Sequence, residues 1–418
     1  MLRRKKFFTI LSICFLATIS KNAAADDGPY GFPFHNPLIA TIMSFGVMPD
    51  VKYETLSFEP KSDRRNVPLL KNRNQLTLHL FAQNHEAPLA FVVAGLGGAG
   101  DSNLATVVAA DFFKAGYSAV TVPDPLSWNY AVARSESGLP GDLAGDAPEY
   151  YTFLQEVTKF LKDQKNLKIS GFSLAGYSFG GLFSAFLTQE DLNQHVFNFK
   201  KVVLINPAID IQYGMSVLDR FYDAGDSIKQ ERKDFLMGGL ISMAVDSPEK
   251  LTPALVLKKF RDWKVTHAEE RWLIGQSYRS DLRDMILASQ QVHDMGVLKV
   301  WANEYHWNAR EEEAGQYSFE QYVLKFVLPA TLGDVGSLSS DDLAKILAAD
   351  SLTSLDQVLK NQPQLYVMEN EDDILIRPAD LDFLKANLGD RLTLYPYGGH
   401  VGNLAFPKNR SDFIKIIQ

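Results

Sequence analysis

The sequence predicts an α/β fold, a mostly parallel sheet flanked by helices and carrying a helical insertion. Three observations lead there. Short apolar runs alternate with amphipathic helical stretches from Gln75 to Ile205. The same alternation resumes after Pro363, and between Ile211 and Pro363 only helical periodicity is present. Repeated strand–helix–strand units imply parallel strands covered on both faces, because each crossover packs its helix back onto the sheet. The composition agrees: 418 residues, 46% apolar and 22% charged, are too apolar for disorder and sufficient for one large core plus an accessory domain.

The elements follow in order. Leu76, Leu78 and Leu80 alternate as a half-buried strand, and Leu89 to Ala94 is a continuous apolar run suited to burial on both faces. Ser102 is expected to cap a helix presenting Leu104, Val107, Val108 and Phe112. Ala119 to Val122 reads as a strand. Asp146 to Glu149 reads as a capping box for a helix bearing Tyr150, Phe153, Val157 and Phe160. Strands at Leu167–Leu174 and Val202–Ile205 flank a helix from Phe179 to about Thr188. In the insertion, residues 212–362, helices are expected after Ser280, Ser318 and Ser340, the second through the box Ser318–Gln321. Its tryptophans, Trp263, Trp272, Trp301 and Trp307, are candidates for core packing or for lining a substrate site, and Trp128 lies in a nearby loop. Residues 61–211 and 363–418 are the two parts of the core, the latter with strands ending at Met368 and Tyr395, a helix around Phe383, and a last helix after Ser411.

The N-terminus suggests export. Arg3, Arg4, Lys5 and Lys6 precede a 13-residue apolar run from Phe7 to Ile19, followed by Ala23, Ala24 and Ala25. This is the pattern of a secretory signal peptide over residues 1–25, too short for a membrane-spanning helix. Cleavage there would remove five of the 42 basic residues, none of the 50 acidic ones, and Cys14, the one cysteine. The mature chain would be acidic and cysteine-free. That suits the periplasm or the medium and leaves no stable membrane span. It also argues against a nucleic-acid partner, a disulfide framework, a cysteine-based zinc site or a cysteine nucleophile. Residues 26–60, rich in Gly, Pro and aromatics such as Tyr30, Phe32 and Phe34, are expected to be an irregular arm.

Three separated segments carry the chemistry. In Gly176-Tyr177-Ser178-Phe179-Gly180 a serine sits between a strand and a helix, with glycines two positions either side. Such a turn lifts the hydroxyl clear of the sheet and places it at a helix N-terminus, where backbone N–H groups favour an anion. Serine needs a base. His400, within Gly398-Gly399-His400-Val401-Gly402 after the last strand, is the strongest candidate, and the other seven histidines have weaker settings without metal-ligand spacing. The base needs a carboxylate to fix its tautomer. Glu369-Asn370-Glu371-Asp372-Asp373 ends the preceding strand, and the chemistry leaves Asp372 and Asp373 both open; Glu369 and Glu371 read as a solvated acidic loop, or weakly as part of a calcium site. Finally, Gly95-Leu96-Gly97-Gly98 follows a strand and fails both the dinucleotide and the Walker patterns, which leaves it to supply an oxyanion donor. The donors expected are the Phe179 and Leu96 N–H groups.

Taken together, Gly176–Gly181, the acidic loop, His400 and the Gly95–Gly98 loop resemble the α/β-hydrolase superfamily, in the chain order Ser, Asp, His. The resemblance covers about Leu76 to Pro207 and Pro363 to the C-terminus. It implies that Asp372 is the acid, with Leu375 as the apolar residue that follows it. Ala94 stands where many members carry histidine. The expectation is an exported serine hydrolase acting on a small-molecule or lipid-like carboxylic ester, with no cofactor and no metal. The alternatives are a peptidase or amidase, for which Glu311, Glu312 and Glu313 would supply charge to a substrate amine, and a non-catalytic binding protein on the same fold.

Overall fold

The computed structural model describes residues 30–44, 51–64, 75–246, 253–301, 306–333, 335–336 and 338–418. Residues 1–25, where a signal peptide is expected, lie outside them. The strands are β1 (Glu54–Phe58), β2 (Leu76–Phe81), β3 (Ala87–Val93), β4 (Ser118–Val122), β5 (Ile169–Tyr177), β6 (Val202–Ile205), β7 (Leu365–Asn370) and β8 (Leu392–Tyr395). They form one sheet in the order β1-β2-β4-β3-β5-β6-β7-β8, antiparallel at β1-β2 and β2-β4 and parallel from there on. The expected sheet is present, with one strand more than the sequence suggested: β1 falls in the supposed arm and pairs with β2 through all five of its residues.

The described helices before β6 are α1 (Pro37–Met43), which lies in the N-terminal arm, α2 (Asn103–Lys114), α3 (Trp128–Ala133), α4 (Leu143–Lys165) and α5 (Phe179–Gln194). Between β6 and β7 come α6 (Ile211–Asp223), α7 (Gln230–Asp246), α8 (Pro253–Asp262), α9 (His267–Val292), α10 (Trp307–Ala314), α11 (Phe319–Tyr322), α12 (Leu328–Leu332), α13 (Ser340–Ala349) and α14 (Asp356–Asn361). The chain ends with α15 (Pro378–Leu388) and α16 (Pro407–Ile417). Among the described residues no helix is long and apolar enough to cross a membrane.

Alternation in the strands sorts these helices onto two faces. Val92, Ala175, Val203 and Met368 join Val107, Phe112 and Phe413 of α2 and α16 in one layer. Phe91, Leu174, Leu204 and Val367 join Leu154, Leu182, Phe183 and Leu384 of α4, α5 and α15 in the other. Leu352, Leu355 and Leu359 belong to this second layer, so the chain rejoins the sheet's flank before Pro363. A separate cluster built from α6, α9, α11 and α13 roofs the carboxyl edge of the strands.

Several helix starts differ from expectation, for local reasons. α4 begins one turn before Asp146, because Asp142 accepts from Gly145 N. Ser280 lies inside α9, a 26-residue helix whose capping box is Thr266 with Glu269. Ser339 rather than Ser340 caps α13. Ser102 precedes α2, but its hydroxyl bonds Tyr177 Oη at 2.7 Å instead of capping. The Ser318–Gln321 box forms as expected.

Candidate active site

The parallel register aligns the ends of five strands. Val93 is level with Gly176, Tyr177 with Ile205, Ile205 with Met368, and Asn370 with Tyr395. The loops that follow therefore deliver Leu96, Ser178, Asn206, Asp373 and His400 to one edge. Strand order reverses between β3 and β5, the place where open α/β sheets leave a crevice for ligands. Leu96 and Ser178 flank it.

Ser178 joins β5 to α5 with φ 57° and ψ −127°, a left-handed conformation that costs a non-glycine residue of order 1–3 kcal/mol. The turn is held by its N–H, which donates to Ile205 O at 2.8 Å. Glycines make it possible: a Cβ at Gly176 would run into Gly180 O, and one at Gly180 into Ala94 O. The serine is buried and sits at the N-terminus of a 16-residue helix.

Ser178 Oγ lies 2.7 Å from His400 Nε2, and His400 Nδ1 lies 2.8 Å from Asp373 Oδ2 and 3.1 Å from Oδ1. The expected meeting of Ser178 and His400 is present. The expected acid is corrected from Asp372 to its neighbour. Asp372 turns away from the imidazole, and its Oδ1 accepts from Gly398 N at 2.8 Å and Gly399 N at 2.9 Å. The reason is the turn after β7, in which Asp373 N donates to Asn370 O. Successive side chains there point apart, so only one of two adjacent aspartates can face the ring. Burial holds the Asp372 carboxyl above its usual range, and the glycine N–H groups oppose that.

The histidine loop is anchored from two sides. Asn370 Nδ2 donates to Gly399 O at 2.7 Å, and His400 N donates to Thr41 Oγ1 of α1 at 2.9 Å. The N-terminal arm is thus a structural part of the site, a role its composition did not disclose. Sequence reading also missed Glu369 and Asn206. Glu369 is fully buried, not solvated, and Asn206 Nδ2 donates both to Glu369 Oε1 at 2.5 Å and to Asp373 Oδ2 at 3.1 Å. Only Asn206's place directly after β6 hinted at this. Glu371 is exposed as expected, and among the described residues no group of side chains is arranged to hold a metal ion.

The Gly95–Gly98 loop is pinned by Asp124, whose N–H donates to Gly98 O at 2.8 Å and whose buried carboxyl accepts from Leu126 N. Gly98 N donates to Gly95 O, which closes the turn. Among the described residues the Leu96 N–H has no partner, and Leu96, Phe179 and Ser178 border the same cavity.

That cavity is walled by Leu126, Leu375 and Ala208 from the core and by Met215, Leu218, Phe319, Tyr322 and Leu347 from the insertion. The loop from Asp124 to Asp146, whose role the sequence left open, contributes Leu126, Gly141 and Leu143. None of the tryptophans lines it; Trp272 is buried in another cluster and Trp301 is exposed. Glu311, Glu312 and Glu313 do not line it either: Glu311 pairs with Arg283, and Glu313 accepts from Lys299 N and Val300 N. The acidic groups at its wall are Asp350 and, in a side niche bordered by Leu96, Gly97, Leu126 and Phe319, Asp281. Burial and the charge of Asp142 push Asp350 up to about 7, and burial with the charge of Asp284 pushes Asp281 up to about 8. At neutral pH Asp281 is therefore mostly protonated, and Asp350 stands near its midpoint.

No protein-family model and no curated protein matches the sequence. Solved structures do resemble it. The thioesterase domain from the curacin biosynthetic pathway is 14% identical, with a TM-score of 0.40, over 88% of this chain and 100% of that one. A fungal esterase from Rhizomucor miehei is 13% identical, with a TM-score of 0.42, over 91% and 86%. The hyperthermophilic esterase from the archaeon Pyrobaculum calidifontis is 14% identical, with a TM-score of 0.40, over 91% and 85%. On its own strand order, its strained serine turn between β5 and α5, and its histidine loop after β8, the chain has the α/β-hydrolase fold.

Proposed function

We propose that this protein is an exported serine hydrolase that cleaves carboxylic esters carrying an apolar group, through an acyl-enzyme intermediate. The observation that carries the reading is the hydrogen-bonded line from Ser178 Oγ through His400 to Asp373, with its serine end opening into an apolar chamber. Ser178 Oγ attacks the ester carbonyl while His400 Nε2 accepts its proton. Asp373 holds the Nδ1–H tautomer and stabilises the imidazolium. The Phe179 and Leu96 N–H groups receive the oxyanion, aided by the α5 dipole. The tetrahedral intermediate collapses as His400 returns the proton to the leaving alcohol, and water repeats the sequence to release the acid. Fixed donors and a base already in contact with the nucleophile need little reorganisation during the reaction.

Export is proposed on the basic, apolar and Ala-x-Ala succession of residues 1–25. An ester is favoured over a peptide because Glu311, Glu312 and Glu313, the candidates to hold an amine, do not line the cavity.

The test is a fluorophosphonate probe together with p-nitrophenyl esters of increasing chain length. Labelling and turnover are expected in the parent and absent in Ser178→Ala, with esters cleaved faster than matching amides. Undiminished turnover by Ser178→Ala would overturn the reading.

A further inference from the structure

Beyond the serine, histidine and aspartate, a second carboxyl is built into the site. Glu369 has no solvent exposure, and its Oε1 accepts from Asn370 N at 2.8 Å and from Asn206 Nδ2. Its Oε2 is buried without a partner. Asn206 Nδ2 is the link, since the same nitrogen donates to Asp373 Oδ2, the oxygen nearest His400 Nδ1. Asp373 Oδ1 accepts from Leu375 N at 2.8 Å. Asn206 itself adopts φ 44°, a left-handed conformation held by its N–H donating to Met368 O. Two carboxyl groups thus share one amide nitrogen in a buried layer.

Charge decides what state this cluster is in. An ionised Glu369 would leave a naked anionic oxygen next to the Asp373 carboxylate with no cation to answer it. β6 offers Asn206, and β8 places Leu394 in register with Glu369. On the flanking helical side, Asp210, Arg377 and Asp380 pair with one another. Asp372 takes the glycine N–H groups of the histidine loop. Burial, and the charge of Asp373 after it, push the Glu369 carboxyl well above its usual range. Asp373 is the carboxyl of the two that pairs with His400.

We infer that Glu369 is a positioning residue that stands beside Asp373 as an uncharged carboxylic acid and, through the Asn206 amide, fixes the rotamer in which Asp373 accepts from His400 Nδ1. This rests on the hydrolase reading above. A group that fixes geometry without adding charge makes a specific demand: glutamine should replace it, and an apolar residue should not.

The experiment compares Glu369→Gln and Glu369→Leu in kcat, KM and the pH at which kcat/KM is half-maximal on its acid side. Glu369→Gln is expected to keep kcat within about threefold and leave that midpoint in place. Glu369→Leu is expected to lose roughly tenfold or more in kcat with little change in KM. If Glu369→Leu does not fold, Asn206→Ala, which cuts the shared amide, is expected to show the same loss in kcat. A midpoint lowered in Glu369→Gln would show that Glu369 is charged, and full kcat in both Glu369→Leu and Asn206→Ala would show that it positions nothing; either result overturns the inference. The deshielded Nδ1 proton of His400, observed by NMR without substrate, separates failures: it should persist in Glu369→Gln and weaken in Glu369→Leu even if Ser178 proved not to be a nucleophile.

Discussion

Asp373, and not the adjacent Asp372, holds His400: its Oδ2 is 2.8 Å from Nδ1, whereas Asp372 Oδ1 is bonded to the N–H groups of Gly398 and Gly399. The two carboxylates grip the same loop at different points, one at the imidazole and one at the backbone. Replacing them should have separable consequences. Asp373→Asn is expected to lower kcat by about 10³- to 10⁴-fold, since the amide favours the wrong tautomer. Asp372→Asn should cost about tenfold or less, because one carbonyl oxygen still accepts from both glycines. Steady-state kinetics of the two variants on one ester is the check.

The N-terminal arm reaches the backbone of His400 through the Thr41 hydroxyl. Thr41 Oγ1 accepts from His400 N and donates to Pro37 O at 2.7 Å. Thr41→Val keeps the shape and leaves the His400 N–H unpaired, a loss of about 1–2 kcal/mol. A fall in kcat of roughly fivefold is expected, with the melting midpoint lowered by a few degrees at most. Kinetics alongside thermal unfolding measures both.

Asp281 should make substrate affinity depend on pH. Burial pushes its carboxyl up to about 8, so below that pH it is neutral and the niche beside Gly97 is compatible with an apolar group. Above about 8 it ionises, and an apolar ester must bind against an unpaired charge. KM for long-chain esters is therefore expected to rise roughly three- to tenfold between pH 7 and 9.5 while kcat holds, and Asp281→Asn should abolish the rise. A KM profile unchanged in the variant would refute the assignment.

Asp350 should make stability fall with pH. Its Oδ1 accepts from Leu143 N at 2.9 Å at the start of α4, and its carboxyl is pushed up to about 7 by burial. A carboxyl whose folded pKa is raised binds its proton more tightly folded than unfolded. Its contribution is whole below about pH 4 and is lost as pH climbs through about 7. Asp350→Asn keeps an acceptor without the charge. Its melting midpoint should match the parent near pH 4 and exceed it by roughly 2 °C or more at pH 8, as measured by calorimetry.

The class of fold, the serine turn and the histidine loop were legible in the order of amino acids, because each is written in local chemistry. Apolar runs specify β3, β5 and β6 within a few residues, and the glycines around Ser178 are required by backbone contacts that any larger residue would violate. Which of two neighbouring aspartates faces His400 emerged with the folded chain, since that depends on a turn closed by the Asp373–Asn370 backbone bond and on where the histidine loop meets it. The burial of Glu369 and the arm's reach to His400 through Thr41 emerged in the same way. Those relations join segments far apart in the chain, and nothing in the spacing or periodicity of either partner records where the other will be.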